Sequence, residues 1–142
     1  MKLLSAFILS VSLGFGGFAH AEERSIPDRD IWLEEAAKLI KAGDFDELEA
    51  RSKETLGPSM HEDVVELLRP LKLAMKDQEA LYIDKISNVK MGETFDNHIY
   101  AAYYGNREFL FYTVTFAKLE NGWQLWAFDY AETLEGLDPG VN

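Results

Sequence analysis

The sequence predicts an α+β fold in which N-terminal helices pack on a strongly bent, four-stranded antiparallel sheet. Apolar residues recur at helical spacing over residues 28–75 and alternate with a period of two over residues 81–131. Two turn signals, Gly105-Asn106 and Asn121-Gly122, divide the alternating half into segments of strand length. Helices followed by consecutive strands are typical of a domain whose helices cover one face of an antiparallel sheet.

The first two helices are predicted from their capping residues. Helix one begins at Asp28 or Asp30, either of which can accept hydrogen bonds from free backbone N–H groups, and it ends at Gly43. Helix two follows at once, over about residues 44–55. Both carry apolar stripes that need a partner surface, which the sheet can supply.

A third helix and four strands complete the predicted order of elements. Ser59 is placed to cap the helix, its apolar stripe reaches about residue 75, and Pro70 is expected to kink or interrupt it. Gly92 is expected to form a bulge or a turn between the first two strands. The strands are predicted at about residues 82–90, 94–104, 107–119 and 123–131.

The first 21 residues have the pattern of a secretory signal peptide. Lys2 precedes an apolar run over residues 3–18, and the Ala-His-Ala sequence that ends at Ala21 is a cleavage site. The alternative is an uncleaved membrane anchor, but the run is shorter than the roughly 20 residues of a spanning helix. We therefore predict a periplasmic or secreted protein, with a leader over residues 1–21, a single domain over residues 22–142 and no membrane attachment after cleavage.

Composition excludes several classes of function. The net charge is −11, and removal of the leader, whose only charged residue is Lys2, makes it −12. A charge of this size repels nucleic acid. The chain has no cysteine, and the two histidines outside the leader, His61 and His98, are too far apart in sequence to suggest a zinc site. No metal and no cofactor are therefore predicted.

Two-residue turns determine which strand residues share a face of the sheet. With Tyr104 opposite Arg107 and Glu120 opposite Trp123, one face is largely aliphatic and is predicted to meet the helices. It carries Phe95, Asn97, Ile99, Ala101, Leu110, Tyr112, Val114, Phe116, Trp123, Leu125, Ala127 and Asp129. The other face is aromatic and rich in threonine, and a second copy in a two-fold dimer is the simplest cover for it. A ligand groove or an unlike partner is the alternative. The candidate interface residues are His98, Tyr100, Phe111, Thr113, Trp126, Phe128 and Tyr130.

Two segments, IKAGDFDEL (residues 40–48) and YTVTFAKLENGWQLWAFDY (residues 112–130), together with the order of elements, resemble the nuclear transport factor two-like superfamily. The resemblance covers most of the chain after the leader. It implies a cystatin-like α+β cone whose sheet curls around a pocket closed by helices, as in ketosteroid-isomerase-like and polyketide-cyclase-like proteins. It also implies dimerisation through the outer face of the sheet. Asp129 matches the place of a polar pocket residue in family enzymes.

Two groups of residues are candidates for chemistry. Asp129, Tyr112, Asn97 and Ala127 are predicted to line one pocket, in which a carboxylate of raised pKa could act as a general base. A structural role at the end of a strand is the alternative for Asp129. The second group is His98 with Asp96, Thr113 and Tyr130, and we interpret it as part of the dimer interface.

The leading functional prediction is an exported, non-catalytic domain that binds a small apolar ligand or a protein partner through the cone pocket and dimerises through the outer face of its sheet. The alternative is a small enzyme of isomerase, cyclase or dehydratase type that uses Asp129 as general base. The family enzyme patterns argue against this, because the first helix has no Tyr or His and His98 is assigned to the other face. A third hypothesis is an acidic inhibitor or chaperone-like partner of a basic protein.

Overall fold

The computed structural model describes residues 25–56, 60–75 and 78–137. In this part of the chain three helices precede a four-stranded antiparallel sheet in the order β1-β2-β3-β4, which is not closed into a barrel and which confirms the α+β class. The elements are α1 (Arg29–Ala42), α2 (Phe45–Thr55), α3 (His61–Ala74), β1 (Tyr82–Met91), β2 (Phe95–Gly105), β3 (Glu108–Leu119) and β4 (Gly122–Ala131), followed by a short 3₁₀ helix (Leu134–Gly136). The strong bend and the cone shape stay predictions, and the leader lies outside the described residues.

Local capping explains where α1 begins and ends. The Asp28 carboxylate accepts hydrogen bonds from the backbone N–H groups of Asp30 (2.9 Å) and Ile31 (3.2 Å), so Asp28 is the cap and Asp30 is not. Gly43 ends the helix with a left-handed φ of 72°. A Cβ atom at this position would lie 2.4 Å from the carbonyl oxygen of Gln78, so the glycine also permits a close backbone approach.

The boundaries of α2 and α3 agree with the predictions in most respects. Asp44 caps α2 by accepting a hydrogen bond from the backbone N–H of Glu47 at 3.2 Å. Helix α3 is continuous to Ala74, so the prediction that Pro70 interrupts it is wrong, whereas a kink there stays a prediction. Pro70 lies on the exposed side, where water can satisfy the carbonyl group that loses its N–H partner. The predicted Ser59 cap lies outside the described residues.

One face of the sheet, the helix face, builds the core with the three helices. Its buried members are Ala102, Leu110, Tyr112, Val114, Phe116 and Leu125. They form one cluster with buried residues of each helix, including Trp32 of α1, Leu48 of α2 and Leu68 of α3. The helices therefore cover this face, as the apolar stripes in the sequence predict.

The turn between β2 and β3 differs from the predicted one, and a β-bulge at Tyr104, next to this turn, exchanges the faces of β2. The turn residues are Asn106 and Arg107, with positive φ angles of 52° and 65°, and not Gly105 and Asn106. A one-residue shift reverses every side chain of a strand relative to its neighbour. Asn97 was predicted on the helix face and lies on the opposite one, and the reverse is true of His98 and Tyr100.

A bulge in β4 reverses the second half of that strand. Phe116 lies opposite Leu125, but the next residue, Thr115, lies opposite Ala127, so Trp126 is the extra residue. Trp123 and Leu125 face the helices as predicted, since both precede the bulge. Beyond the bulge the prediction is wrong, because Ala127 and Asp129 lie on the opposite face and Phe128 and Tyr130 lie on the helix face.

Candidate functional site

A buried polar centre lies on the face of the sheet away from the helices. The side-chain amide of Asn97 in β2 donates hydrogen bonds to the hydroxyl oxygens of Thr113 (2.5 Å) and Thr115 (2.8 Å) in β3. All three residues are buried. Asp129 and Ala127 in β4 lie directly opposite the two threonines and are also buried. Three of the four predicted pocket residues, Asn97 of β2 and Ala127 and Asp129 of β4, therefore lie on one face on either side of the two threonines of β3.

The fourth predicted pocket residue, Tyr112, lies on the helix face and does not belong to this centre. Its hydroxyl group is 2.9 Å from that of Tyr104. Burial is the main cause that raises the pKa of Tyr112 well above its ordinary value, so its hydroxyl stays protonated at neutral pH. Because the sheet separates Tyr112 from Asp129, the two cannot act on one ligand as the enzyme hypothesis requires.

Aromatic side chains surround the polar centre and define what we call the aromatic face. Four of them form a ladder across β1, β2 and β3 in which neighbouring ring centres are 5.0, 4.9 and 6.1 Å apart. The ladder consists of Tyr82, Tyr103, Phe109 and Phe111. Tyr82 is 49% exposed and Phe109 is 43% exposed. At the other end of the same face, the rings of Phe95 and Trp126 meet edge to face at 5.2 Å. The sequence analysis did not name Tyr82 or Tyr103 as candidate residues. The alternation in β1 could have placed Tyr82 on the same face of the sheet as its cross-strand neighbour.

The predicted dimer residues divide between the two faces. Phe111, Thr113 and Trp126 lie on the aromatic face. His98, Tyr100, Phe128 and Tyr130 lie on the helix face, where the Tyr130 hydroxyl donates to the carbonyl oxygen of Leu67 at 3.0 Å. These four residues are therefore removed from any interface built on the aromatic face.

A second polar cluster is buried on the helix face, beneath the start of α1. Arg29 Nη1 is 2.5 Å from Asp96 Oδ2, and His98 Nε2 is 3.5 Å from the same oxygen. Asp96 and His98 were predicted to share a face, and they do. Thr113, which was grouped with them, lies on the opposite face. Sequence analysis missed Arg29, because it forms this contact with a residue far along the chain.

A small cavity lies in the interior of the part of the chain that the structure describes. A cavity of about 20 Å³ lies between α2, α3 and β4 and has space for about one water molecule. Its lining includes Leu48, Leu68 and Leu125 but not Asp129. A larger groove of about 510 Å³ between Lys53 and Arg69 is an open surface feature. Neither space is lined by Asp96 or His98.

In residues 25–56, 60–75 and 78–137 no three His, Asp or Glu side chains are grouped so that they could hold a metal ion. No helix in that part of the chain is long and apolar enough to cross a membrane.

No family model matches the chain, and no curated protein sequence or solved structure does either. The resemblance to the nuclear transport factor two-like superfamily therefore stays a prediction, and the functional argument depends on the geometry of the two faces.

The polar centre allows a direct test of its contribution to stability. Thr113→Val keeps the shape of the side chain but removes the hydroxyl that accepts a hydrogen bond from buried Asn97. We expect a loss of about 1–3 kcal/mol in the free energy of unfolding, the usual cost of a buried donor left without its acceptor. Urea denaturation measures it. The same change at exposed Thr94, in the β1–β2 turn, should cost less than about 0.5 kcal/mol. Equal losses at both positions would contradict a structural role for the centre.

Proposed function

We propose that the protein is an exported, non-catalytic binding domain that pairs with a second copy of itself through the aromatic face. The observation that supports this most is the ladder of Tyr82, Tyr103, Phe109 and Phe111 on the face away from the helices. Large apolar surfaces of this kind are uncommon on monomers and usually mark interfaces. The export itself depends on the predicted leader.

The composition of the aromatic face fits a protein interface. Aromatic residues are enriched at interface cores and carry much of the binding free energy, while charged residues are depleted there. Asn97 and its two threonines, with aromatic rings around them, satisfy one another by hydrogen bonds, so these groups need no polar partner from the second copy. A two-fold axis through this face would bring each ladder against its equivalent in the partner.

A small apolar ligand inside the domain is less well supported. Pockets for such ligands usually measure about 300–1,000 Å³. The cavity of about 20 Å³ beside Leu68 and Leu125 would have to widen by displacement of α2 or α3 from the sheet. The aromatic face needs no such rearrangement, so we favour a protein partner over a ligand in the interior.

Light scattering coupled to size exclusion tests the proposal. The purified protein should have the mass of a dimer at roughly 100 µM, and Phe109→Asp should yield a monomer, because a carboxylate cannot be desolvated in an apolar interface without a partner. Leu73→Asp is the matched control, since Leu73 is 77% exposed on α3 and should leave the dimer intact. Circular dichroism of each variant shows that the fold is kept. A monomeric wild-type protein, or a dimer that survives Phe109→Asp, would reject the proposed interface.

A further inference from the structure

One arginine attaches the start of α1 to the sheet, and the segment before the helix adds a backbone bridge between Ile26 and Trp123 with hydrogen bonds of 2.6 and 3.0 Å. The guanidinium group of Arg29, the first residue of the helix, lies 3.9 Å above the ring of Trp123 and contacts the Asp96 carboxylate. One turn further, Trp32 meets the ring of Phe116 edge to face at 5.6 Å. Arg29 thus joins the helix to β2 and β4 at a single point.

His98 competes with Arg29 for the Asp96 carboxylate. Its ring lies edge to face on Phe116 at 5.9 Å, is fully buried, and is 3.5 Å from the same Asp96 oxygen that Arg29 contacts. Among the described residues, neither ring nitrogen of His98 and neither carboxylate oxygen of Asp96 has a hydrogen-bond partner of good geometry. Buried polar atoms without partners are rare and often mark a functional site.

The surroundings hold His98 in its neutral form. Burial is the largest cause that lowers its pKa below 6.5, and the positive charges of Lys85 and Arg29 act in the same direction, whereas Asp96 opposes them. The charged groups around the ring are Arg29 and Asp30 from α1, Lys85 and Lys90 from β1, and Asp96 from its own strand.

We infer that Arg29, Asp96 and His98 form an acid-sensitive clamp, in which uptake of a proton by His98 transfers the Asp96 carboxylate from Arg29 to His98 and releases the start of α1 from the sheet. One buried carboxylate neutralises only one of two positive charges, and the positive charge left over is costly to bury. Arg29 is the one that can leave, because its side chain is 19% exposed and already reaches water, whereas Asp96 and His98 are buried.

The direction of the pH dependence follows from the lowered pKa of His98. The ring is neutral in both folded and unfolded chains above pH 6.5, so there the clamp has its full strength. As the pH falls below 6.5, His98 takes up a proton more readily in the opened clamp than in the closed one. The equilibrium constant for opening therefore rises by up to tenfold for each unit by which the pH falls. This loss continues until the pKa of the closed state is reached.

Amide hydrogen exchange of the full chain at pH 7.5, 6.0 and 5.0 tests the clamp. After correction for the intrinsic exchange rate, amides in the first half of α1 should lose up to tenfold in protection for each pH unit below 6.5, while amides in the middle of β3 keep theirs. Equal losses in α1 and β3 would show general acid destabilisation, and no loss in α1 would show that no clamp operates. Either result overturns the inference.

Two variants connect the effect to His98. His98→Gln should abolish the loss of α1 protection in acid, whereas His61→Gln, the same change in α3, should retain it. If His98→Gln does not fold, Lys85→Gln on the exposed edge strand provides the second test. Removal of that positive charge raises the pKa of His98 towards 6.5 and should weaken the acid effect. An unchanged acid response in the variants His98→Gln and Lys85→Gln would refute the clamp. The dimer proposal concerns the other face of the sheet, so either idea can fail without the other.

Discussion

Phe116→Ala is expected to destabilise the protein by about 3–5 kcal/mol, the usual cost of removing a buried phenylalanine ring from a core. Phe116 is fully buried in the middle of β3. Trp32 of α1 and His98 of β2 both meet its ring edge to face, so a contact between α1 and the sheet and a contact within the sheet share this side chain. Alanine would leave a cavity that two rings held by other contacts cannot fill.

Urea denaturation at neutral pH measures this loss, provided that the dependence on denaturant concentration stays that of the wild-type protein. Phe109→Ala is the matched control, because it makes the same change on the same strand but on the aromatic face, where Phe109 is 43% exposed. We expect about 1 kcal/mol there, mostly from lost contacts in the ladder. Low protein concentration limits any contribution from a dimer. A smaller loss at Phe116 than at Phe109 would contradict the assignment of the helix face as the core.

The helices could be predicted well because the signals that delimit them are local. Asp28 and Asp44 cap the N–H groups of residues two or three positions away, and Gly43 ends α1 through its own backbone conformation. None of these contacts depends on how the rest of the chain folds. The predicted interruption at Pro70 was wrong because the effect of a proline depends on whether water reaches the helix there, which is a property of the tertiary structure.

The residues that share a face could be predicted within an unbroken stretch of one strand, but the register between neighbouring strands could not. Asp96 and His98 share a face whatever the register, because they are two positions apart. Asn97 and Tyr112 were placed together, and the structure separates them because a β-bulge at Tyr104 shifts the register of β2 by one residue. Nothing in the sequence indicates this bulge, and a left-handed conformation at Arg107, with φ of 65°, has no signal in the sequence either. The bulge at Trp126 reversed Asp129 in the same way.

The two candidate sites therefore differ in how much of each could be predicted from the sequence. Asn97, Ala127 and Asp129 were predicted on one face and do share one, since separate register shifts moved them all to the aromatic face, whereas Tyr112 stayed on the helix face. The clamp could be predicted only in part, because the approach of Arg29 to Asp96 joins the start of α1 to β2. An arginine between two aspartates at the start of a helix has an ordinary explanation in capping, and nothing local indicates a partner in the sheet.

The second large effect is expected at Asp96. Asp96→Val should destabilise the protein by about 3 kcal/mol or more at neutral pH, because it leaves the Arg29 guanidinium group largely buried without its carboxylate. Valine suits the strand and fills a similar volume, so the loss reports the missing charge and not a cavity. The stacking of Arg29 on Trp123, at 3.9 Å, persists and recovers only about 0.5–1 kcal/mol.

A double-mutant cycle separates the ion pair from its surroundings. Arg29→Met/Asp96→Val removes both charges and keeps apolar contact with Trp123, and a buried ion pair replaced by apolar residues is often neutral or stabilising. The double variant should therefore be more stable than Asp96→Val alone, by about 1–3 kcal/mol, with a coupling free energy of that size measured by urea denaturation. Additive losses in the cycle would mean that Arg29 and Asp96 do not act on each other, and α1 would then be held by its apolar packing and by the stacking of Arg29 on Trp123.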